Sequence, residues 1–322
     1  MSNYKKISPN IESIIVDNPK EPGESITWIN INNAGKKEIE FLRKEYSFDL
    51  KHLQSSFGYN TAQRPFTENG RDYLFLVLHF PFFSENSVVA GEVNFFIGHG
   101  YMVTLHNNNI APLREFFGLC KKGERILLTY KSESSAVLLY ELLERLMFSS
   151  YKLLDQNGLE IDKVEKIIFN QNQKEAASQL LLLKRNIINL RKILQNHKNI
   201  LKSLTEMKSS LVPEKELKKY YNRLVEHSKR IWEFLDSQKE MVDALQTSNE
   251  SLLNYRISDI MKTLTIFSVI VFPLTLLAAI FGMNAMNGMP FIQSEHSFWI
   301  IISIMLISSL FMLLFFEKKK WL

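Results

Sequence analysis

The sequence contains a single cysteine, Cys120, and lacks the short motifs that mark most enzymes and metal centres. One thiol can form no internal disulfide, which fits a reducing compartment for the bulk of the chain. The seven histidines are scattered, with no HExxH pattern, and no Walker, Rossmann or GxSxG segment is present. His79, His99 and His106 fall in strand-like stretches, where packing or turn roles are the simpler interpretation. The sequence therefore predicts neither an enzyme nor a resident cofactor.

The beginning of the sequence has no apolar run after its lysines, so no signal peptide is expected there. The net charge of +5 is spread along the chain without a recognisable binding motif. Nucleic acid is therefore not an expected partner. The part of the chain that precedes the apolar segments is expected to lie in the cytosol.

Two long stretches, residues 263–293 and 298–316, contain no Asp, Glu, Lys or Arg. A helix needs about 20 mostly apolar residues to cross a hydrocarbon core of roughly 30 Å. Residues 263–281 and 298–316 both meet that requirement, and two such runs at one end of a chain are rare in soluble folds. The sequence predicts two membrane-spanning helices, with the lipid bilayer as a partner.

The charges that flank these runs predict their orientation. Arg256 and Lys262 precede the first run and lysines follow the second, whereas the loop 282–297 has no Lys or Arg and carries Glu295. Because positive charge favours the cytoplasmic side, both termini are expected inside, in a two-span protein of the plasma (inner) membrane. Four lysines are predicted to form a basic collar at the cytoplasmic face: Lys262, Lys318, Lys319 and Lys320.

The chain before the membrane divides into two predicted regions. Residues 1–133 read as a mixed α/β domain, with strands at 25–31, 72–80, 93–106 and 125–130 and a helix at 34–48. Residues 134–213 read as cytosolic helices, at 134–156 and 174–204.

A single long helix is predicted to follow Pro213. No proline or glycine occurs from Glu214 until Pro273, so residues 214–281 would form one helix of about 68 residues, on the order of 100 Å long. Its first part, 214–262, would be a stalk, and 263–281 the first span. Its apolar stripe includes Leu224, Ile231, Phe234, Met241, Leu245, Leu252 and Ile260. The stripe could pack in a hairpin of the same chain or against other copies, and the unbroken run into the membrane favours other copies.

One face of the first span mixes hydroxyl groups with bulky apolar groups. Two spans per chain cannot enclose an aqueous pore, so transport would require several copies around an axis. The candidate lining consists of Met261, Leu264, Thr265, Ser268, Phe272, Thr275 and Ala279, at helical spacing. The alternative is that the three hydroxyls merely bond to carbonyls of their own helix.

The segments MKTLT (261–265), FPLTLLAAIFGMN (272–284) and MP (289–290), followed by a second span and the end KKKWL, resemble the CorA family of divalent-cation channels. Weaker similarity lies at 27–31, 71–78 and 91–106. The resemblance implies an α+β fold class: a cytosolic α/β domain with a helical bundle, a long stalk helix that continues into the first of two transmembrane helices, and a homopentamer with the first span lining the pore.

The resemblance also implies roles for individual residues. Gly282, Met283 and Asn284 would form the selectivity loop, with Gly282 letting the chain turn out of the helix. Met261 and Leu264 would form an apolar constriction, and Thr275 a ring of hydroxyls. Phe272 stands where methionine is common in the family and could narrow the pore. The full predicted lining and gate set is Ser258, Met261, Leu264, Thr265, Ser268, Phe272 and Thr275.

Some relatives bind a regulatory Mg²⁺ at acidic stalk positions, but Arg223 stands where such an acid is expected. Four nearby acids could replace it: Glu226, Asp236, Glu240 and Asp243. The simpler interpretation of these acids is a solvated face of the stalk.

The first functional hypothesis is therefore transport of Mg²⁺, and also Co²⁺ or Ni²⁺, through a homopentamer of this chain. No cofactor is expected beyond Mg²⁺ as the transported and regulatory ion. One alternative is a zinc transporter of the same superfamily, against which Met283 argues because such relatives usually vary this position. The other is a non-conducting scaffold or sensor that uses the stalk as a coiled coil.

Overall fold

A computed structural model describes residues 4–17, 25–57, 64–85, 87–107, 110–122, 134–170, 172–206, 215–283, 290, 295–319 and 321. The chain forms two compact units, Met1–Leu245 and Gln246–Leu322. Asn284 and Lys320 lie outside the described residues, as does the predicted strand at 125–130.

The first unit contains a seven-stranded sheet in the order β1-β2-β3-β7-β6-β5-β4. All neighbouring strands are antiparallel except β3 and β7, which are parallel. The predicted strands at 25–31, 72–80 and 93–106 are confirmed, the last as a hairpin with Gly100 at a φ of 73° in its turn. The strands are β1 Tyr4–Ser8, β2 Ile11–Asp17, β3 Ser25–Asn32, β4 Phe66–Asn69, β5 Tyr73–Ser84, β6 Ser87–Gly98 and β7 Tyr101–His106.

Helices cover both faces of this sheet, which explains why β5 and β6 read as nearly continuous apolar runs. On one face, Leu42 and Leu53 from the two short helices α1 and α2 join Phe96 in a common cluster. On the other face, Phe116 and Leu142 pack with Trp28 and Phe95. The helices of the unit are α1 Lys36–Tyr46, α2 Leu50–Ser55, α3 Ala111–Lys121, α4 Ser134–Phe169, α5 Gln173–Leu194 and α6 His197–Glu206.

The two regions predicted before the membrane share one core. Side chains of β3, β5 and β6 belong to the same buried cluster as those of α4 and α5. The single helix predicted at 174–204 is instead two helices, α5 and α6, which are separated at Gln195 and Asn196. Residues 1–245 are therefore one compact unit rather than two.

The long helix α7 runs without interruption from Lys215 to Phe281, which confirms the predicted helix. In the first unit its buried side chains recur at spacings of three, four and seven: Tyr221, Leu224, Ser228, Ile231, Leu235 and Val242. The Tyr221 hydroxyl donates to the Ala136 carbonyl at 2.8 Å, and the Gln238 amide donates to the Leu154 carbonyl at 2.7 Å. This face of α7 is thus covered by α4 of the same chain.

The predicted apolar stripe of this helix coincides only in part with the side chains that are buried. Leu224 and Ile231 are buried as expected, but Phe234 and Met241 are 53% and 50% exposed, and the adjacent Leu235 and Val242 take the buried positions. The hairpin alternative therefore describes the buried face, whereas the exposed face remains open to other copies.

The second unit contains the remainder of α7 and the helix α8, Ser297–Lys318. Both helices are long and apolar enough to cross a membrane, and the apolar window of each is almost wholly exposed in the single chain. After α8, the Trp321 ring stacks on Phe316 with 5.9 Å between ring centroids. An all-round apolar surface of this kind requires lipid or another protein chain to cover it.

Candidate functional site

The membrane part of α7 has one shielded face. The positions with restricted exposure are Lys262, Ile266, Ser268, Ile270, Pro273, Leu274, Leu277 and Phe281, and all of them except Ser268 lie on one side of the helix. Ile266 is only 7% exposed. The other described helix of this unit is α8, so the shielded face is the one available to it. The remainder of the circumference is left for lipid or for other copies.

The predicted lining residues lie on the face opposite the shielded one. At 100° per residue, Thr275 and Leu264 lie about half a turn from Ile266. Met261, Leu264 and Phe272 are 56%, 59% and 71% exposed in the single chain. Ser258, Thr265 and Thr275 are also exposed, and Ser268 is half-exposed. The structure therefore brings the predicted set together on one helix face that its own chain does not cover.

The three aligned hydroxyls all bond to their own helix, as the alternative interpretation expected. Thr265, Ser268 and Thr275 donate to the carbonyls four residues earlier, Met261, Leu264 and Val271, at 2.7, 2.9 and 2.9 Å. A hydroxyl that donates in this way still has lone pairs that can accept a hydrogen bond. Such acceptors suit the outward-pointing hydrogens of water molecules that surround a cation.

Gly282 lies directly after the last residue of α7 and keeps a hydrogen bond of the helical type. Its N–H donates to the Ala278 carbonyl at 2.9 Å, and the Met283 N–H donates to the Ile280 carbonyl at 3.2 Å, a tightening of the last turn. Among the described glycines only Gly100 has a positive φ, and the role of Gly282 in turning the chain stays a prediction, because residues 284–289 lie outside the described ones. The physical constraint is close approach, since an added Cβ would lie 3.0 Å from the Ala278 carbonyl oxygen.

The lysines predicted for a basic collar lie at the ends of the apolar runs. Lys262 is half-buried on α7, at the start of the first run. Lys318 and Lys319 are exposed at the end of α8, where the Lys319 N–H caps the helix through the Phe315 carbonyl.

The four acids predicted for a regulatory ion fall into two pairs. Asp236 pairs with Arg191 of α5, and Asp243 lies 3.0 Å from Lys184 of α5 and 3.5 Å from Lys239. The hydrogen bond from Lys184 lowers the pKa of the Asp243 carboxyl. Asp236 and Asp243 thus join α7 to α5, a role that the sequence did not indicate.

Glu226 and Glu240 are exposed, and neither forms an ion pair with any residue that the structure describes. Arg223 is largely exposed, with its Nε 3.9 Å from a carboxylate oxygen of Glu144. Within the described part of the chain no group of three or more His, Cys, Asp or Glu side chains could hold a metal ion. The four acids are therefore not assembled into one site within a single chain.

An α/β unit followed by two helices, α7 and α8, that each contain a long charge-free run defines an integral membrane protein with a large soluble part. A family described as CorA-like Mg²⁺ transporter protein matches residues 23–319, and the chain belongs to this family. The resemblance drawn from the GMN segment is thereby confirmed, and the family is one of transporters.

Individual relatives agree with this assignment. The cobalt/magnesium transport protein CorA of Thermotoga maritima is 27% identical over 319 residues, which cover 97% of this chain and 87% of that protein. The solved structure of the CorA magnesium transporter from Methanocaldococcus jannaschii has a TM-score of 0.84, covers 98% of this chain and 100% of that chain, and is 18% identical. This likeness confirms the predicted fold: a soluble α/β unit, a long helix and two candidate membrane helices.

The cytoplasmic domain of ZntB from Vibrio parahaemolyticus is a more distant structural neighbour. Its TM-score is 0.57 at 15% identity, with 76% of this chain and 98% of that chain covered. At this identity the likeness shows only that the soluble fold is shared.

Proposed function

We propose that five copies of this chain form a channel in the plasma (inner) membrane that admits hydrated Mg²⁺, with Co²⁺ and Ni²⁺ as further substrates. The observation that carries the proposal is the uncovered face of α7, where hydroxyl groups alternate with bulky apolar groups opposite the shielded face. When this face is turned towards a common axis, its exposed side chains enclose a path that one chain cannot form. The family resemblance implies five copies rather than four or six.

Selection would take place at Gly282, Met283 and Asn284. Mg²⁺ is small and releases its water reluctantly. A ring of neutral Asn284 amide oxygens can hold the ion through its outer waters without removing them. A ring of carboxylates would attract the ion more strongly but would release it poorly, and conduction requires release. Met283 would pack and shape the loop.

The lower part of the path would hold the gate. Met261 and Leu264 are exposed apolar side chains one turn apart, and rings of both would form a constriction that closes by excluding water. Phe272, further along the same face, would narrow the path. Thr275 would supply acceptors to the hydration shell between the gate and the loop.

The transmembrane potential would drive the ion inwards. With both termini in the cytoplasm, as the flanking lysines favour, the loop faces outside and the basic collar faces inside. Moving a divalent ion through 100 mV is worth roughly 4.6 kcal/mol.

Regulation by cytosolic Mg²⁺ would fall mainly on Glu226 and Glu240. Their carboxylates are exposed and form no ion pair with the described residues. Asp236 and Asp243 would first have to leave the cations of α5 that they contact. Because a single chain does not assemble these acids, a regulatory ion would have to bridge two copies.

The repeated Met-Asn of the loop offers a matched experiment. Asn284→Ala should abolish Mg²⁺ uptake into vesicles that contain the purified protein, with the oligomer unchanged by size-exclusion chromatography. Asn287→Ala makes the same change three residues later, beyond the GMN segment, and should leave most of the uptake intact. Normal uptake by Asn284→Ala would refute the selectivity assignment.

Zinc transport is the second candidate, although the likeness to the ZntB domain extends only to the soluble fold. Met283 in the middle of the GMN segment favours magnesium. Flux of Zn²⁺ and Mg²⁺ measured in competition separates the two, because a zinc transporter would carry Zn²⁺ in the presence of excess Mg²⁺. A non-conducting scaffold would show no flux of either ion.

A further inference from the structure

The first unit contains a cleft of about 820 Å³, and none of the residues that line it belongs to the proposed transport path. The edge strand β4 pairs only with Leu74–Val77 of β5, so from His79 onwards β5 has β6 on one side and no described strand on the other. The cleft lies at this point, between the start of β4, the paired β5 and β6, and the end of α5. Its volume lies in the range of pockets that hold small organic molecules.

The charged side chains that line the cleft are basic. Arg64, which precedes β4, and Lys192 of α5 both line it, and the lining contains no Asp or Glu. Within the described part of the chain neither Arg64 nor Lys192 pairs with a carboxylate. The cleft is also lined by His79, whose Nε2 lies 3.3 Å from a carboxylate oxygen of Glu92.

The dipoles of the nearby helices do not cancel the positive charge of the cleft. Lys192 lies in the last turn of α5, where the carbonyl end of the helix favours a cation. Only two residues separate the end of α5 from the start of α6 at His197, so the positive end of one helix meets the negative end of the other. The local charge is then determined by Arg64 and Lys192.

Hydrogen bonds hold the two walls of the cleft together. The Asn186 amide oxygen accepts from the Val88 N–H at 3.2 Å, and the Asn189 amide donates to the Val88 carbonyl at 3.0 Å. The ring of His197, which is 1% exposed, donates through Nε2 to the His79 carbonyl at 2.8 Å. Strand β6 and helix α5 are therefore fixed to each other, and the cleft is formed before any ligand arrives.

The remaining lining suits a molecule with an apolar, hydrogen-bonding part. Val88 and Ile193 are buried aliphatic side chains that form part of the wall. Gln195 and Asn196, at the break between α5 and α6, bring two side-chain amides to the same cleft. Amides of this type pair with the edge of a purine base, and Arg and Lys bind phosphate.

We propose that this cleft binds a nucleoside phosphate, with the phosphate on Arg64 and Lys192 and the base between the aliphatic wall and the amides of Gln195 and Asn196. Such binding is separate from ion conduction. It is measured on the protein without any flux, so failure of either proposal leaves the other unaffected.

Equilibrium dialysis of the purified full-length protein against labelled AMP tests the proposal. Saturable binding is expected, at least tenfold tighter than binding of adenosine or of inorganic phosphate, each of which supplies only half of the contacts. Affinity should fall as salt is raised, because the phosphate contacts are charged. Binding of phosphate as tight as that of AMP would overturn the nucleoside part.

Substitutions of single basic residues test the phosphate contacts, and one of them serves as a matched control. Lys192→Gln and Arg64→Gln should each weaken AMP binding at least fivefold. Lys198→Gln removes the same charge from an exposed position on α6 that does not line the cleft, and should bind AMP like the unmodified chain. No detectable AMP binding at about 10 mM, or equal affinity of all three variants and the unmodified chain, would overturn the proposal.

Discussion

At Gly282, directly after the last residue of α7, a hydrogen atom stands where any other residue would place a side chain close to a carbonyl oxygen. The last helical hydrogen bonds bring the Ala278 carbonyl oxygen to 3.0 Å from where a Cβ would lie. That distance is too short for an ordinary contact, so a methyl group must displace either the carbonyl or the chain that leads to Asn284. We therefore expect a methyl group at Gly282 to disturb the start of the proposed selectivity loop.

Gly282→Ala should accordingly reduce Mg²⁺ uptake severalfold while the protein still assembles and melts normally. Gly118→Ala is a suitable control, since a Cβ at that position of α3 meets no atom within 4 Å and alanine favours a helix. Vesicle uptake assays on both variants test this directly. Equal uptake by the two would mean that the close approach at Gly282 is unimportant.

His197 is the residue for which burial predicts a pH effect. Burial lowers the pKa of this ring to about 4, so the ring is neutral in the folded protein and donates to the His79 carbonyl. The unfolded chain protonates near pH 6.5, and the folded state therefore loses stability as the pH falls from about 6.5 towards 4. Between about pH 7.5 and pH 5 the loss from this ring is about 2 kcal/mol.

His197→Gln should reduce this acid sensitivity, because its amide can donate to the same carbonyl but does not titrate. His99→Gln, at an exposed histidine in the β6–β7 turn, should leave the sensitivity unchanged. The measurement is the melting temperature of each protein at both pH values. A full acid-induced shift in His197→Gln would contradict the prediction, and His106, also buried with a pKa of about 4, accounts for the part that remains.

At the scale of elements, α7 shows what a sequence pattern can and cannot predict. The length of the helix follows from the absence of proline and glycine, and the structure confirms it to within one residue. The sequence does not show which face of the helix is buried, because Phe234 and Leu235 are both apolar, follow each other in the chain and lie on adjacent faces. Only the position of α4 and α5, which lie far away in the sequence, determines that Leu235 is covered and Phe234 is not.

The pairing between α5 and α7 gives the prediction for this scale. Asp243→Asn should lower stability by about 0.2–1 kcal/mol, the range for exposed ion pairs, since it removes the contacts with Lys184 and Lys239. The pKa of Asp243 is lowered in the folded state, so its contribution is present above the pKa of the unfolded chain and disappears as the pH falls through the folded value.

Glu240→Gln, three residues earlier, removes an exposed acid that forms no ion pair with the described residues and should leave stability unchanged at neutral pH. Chemical denaturation of both variants at neutral pH separates the two roles. If Asp243→Asn were as stable as the unmodified chain, the pairing with α5 would contribute nothing measurable.

At the scale of the whole molecule, the proposed transport path and the proposed nucleoside-phosphate cleft differ in how far the sequence indicates them. The lining of the path lies within one helix, so helical spacing and a specific motif were enough to propose it. The cleft joins residues 64–65, 79 and 88–90 to residues 189–196, and no local pattern connects them. Such a site becomes apparent only after the sheet and α5 have been placed together.

The number and arrangement of copies can be tested with introduced cysteines, because the chain has almost no thiol background. Cys120 is its only cysteine, is 8% exposed, and has a pKa raised to about 12 by burial. It should therefore resist mild oxidation. Thr275→Cys places a thiol on the proposed pore face, and Leu277→Cys places one on the shielded face, two residues away on the same helix.

Oxidation should link Thr275→Cys chains into dimers, since the proposed axis brings this position of neighbouring copies together, and should leave Leu277→Cys monomeric on denaturing gels. Each chain can pair only once, so a ring of five leaves one chain over and limits dimers to about four fifths of the protein. A ring of four or six would allow nearly complete pairing. Cross-linking at Leu277 instead of Thr275 would mean that the opposite face of α7 meets the axis, and the proposed path would then be wrong.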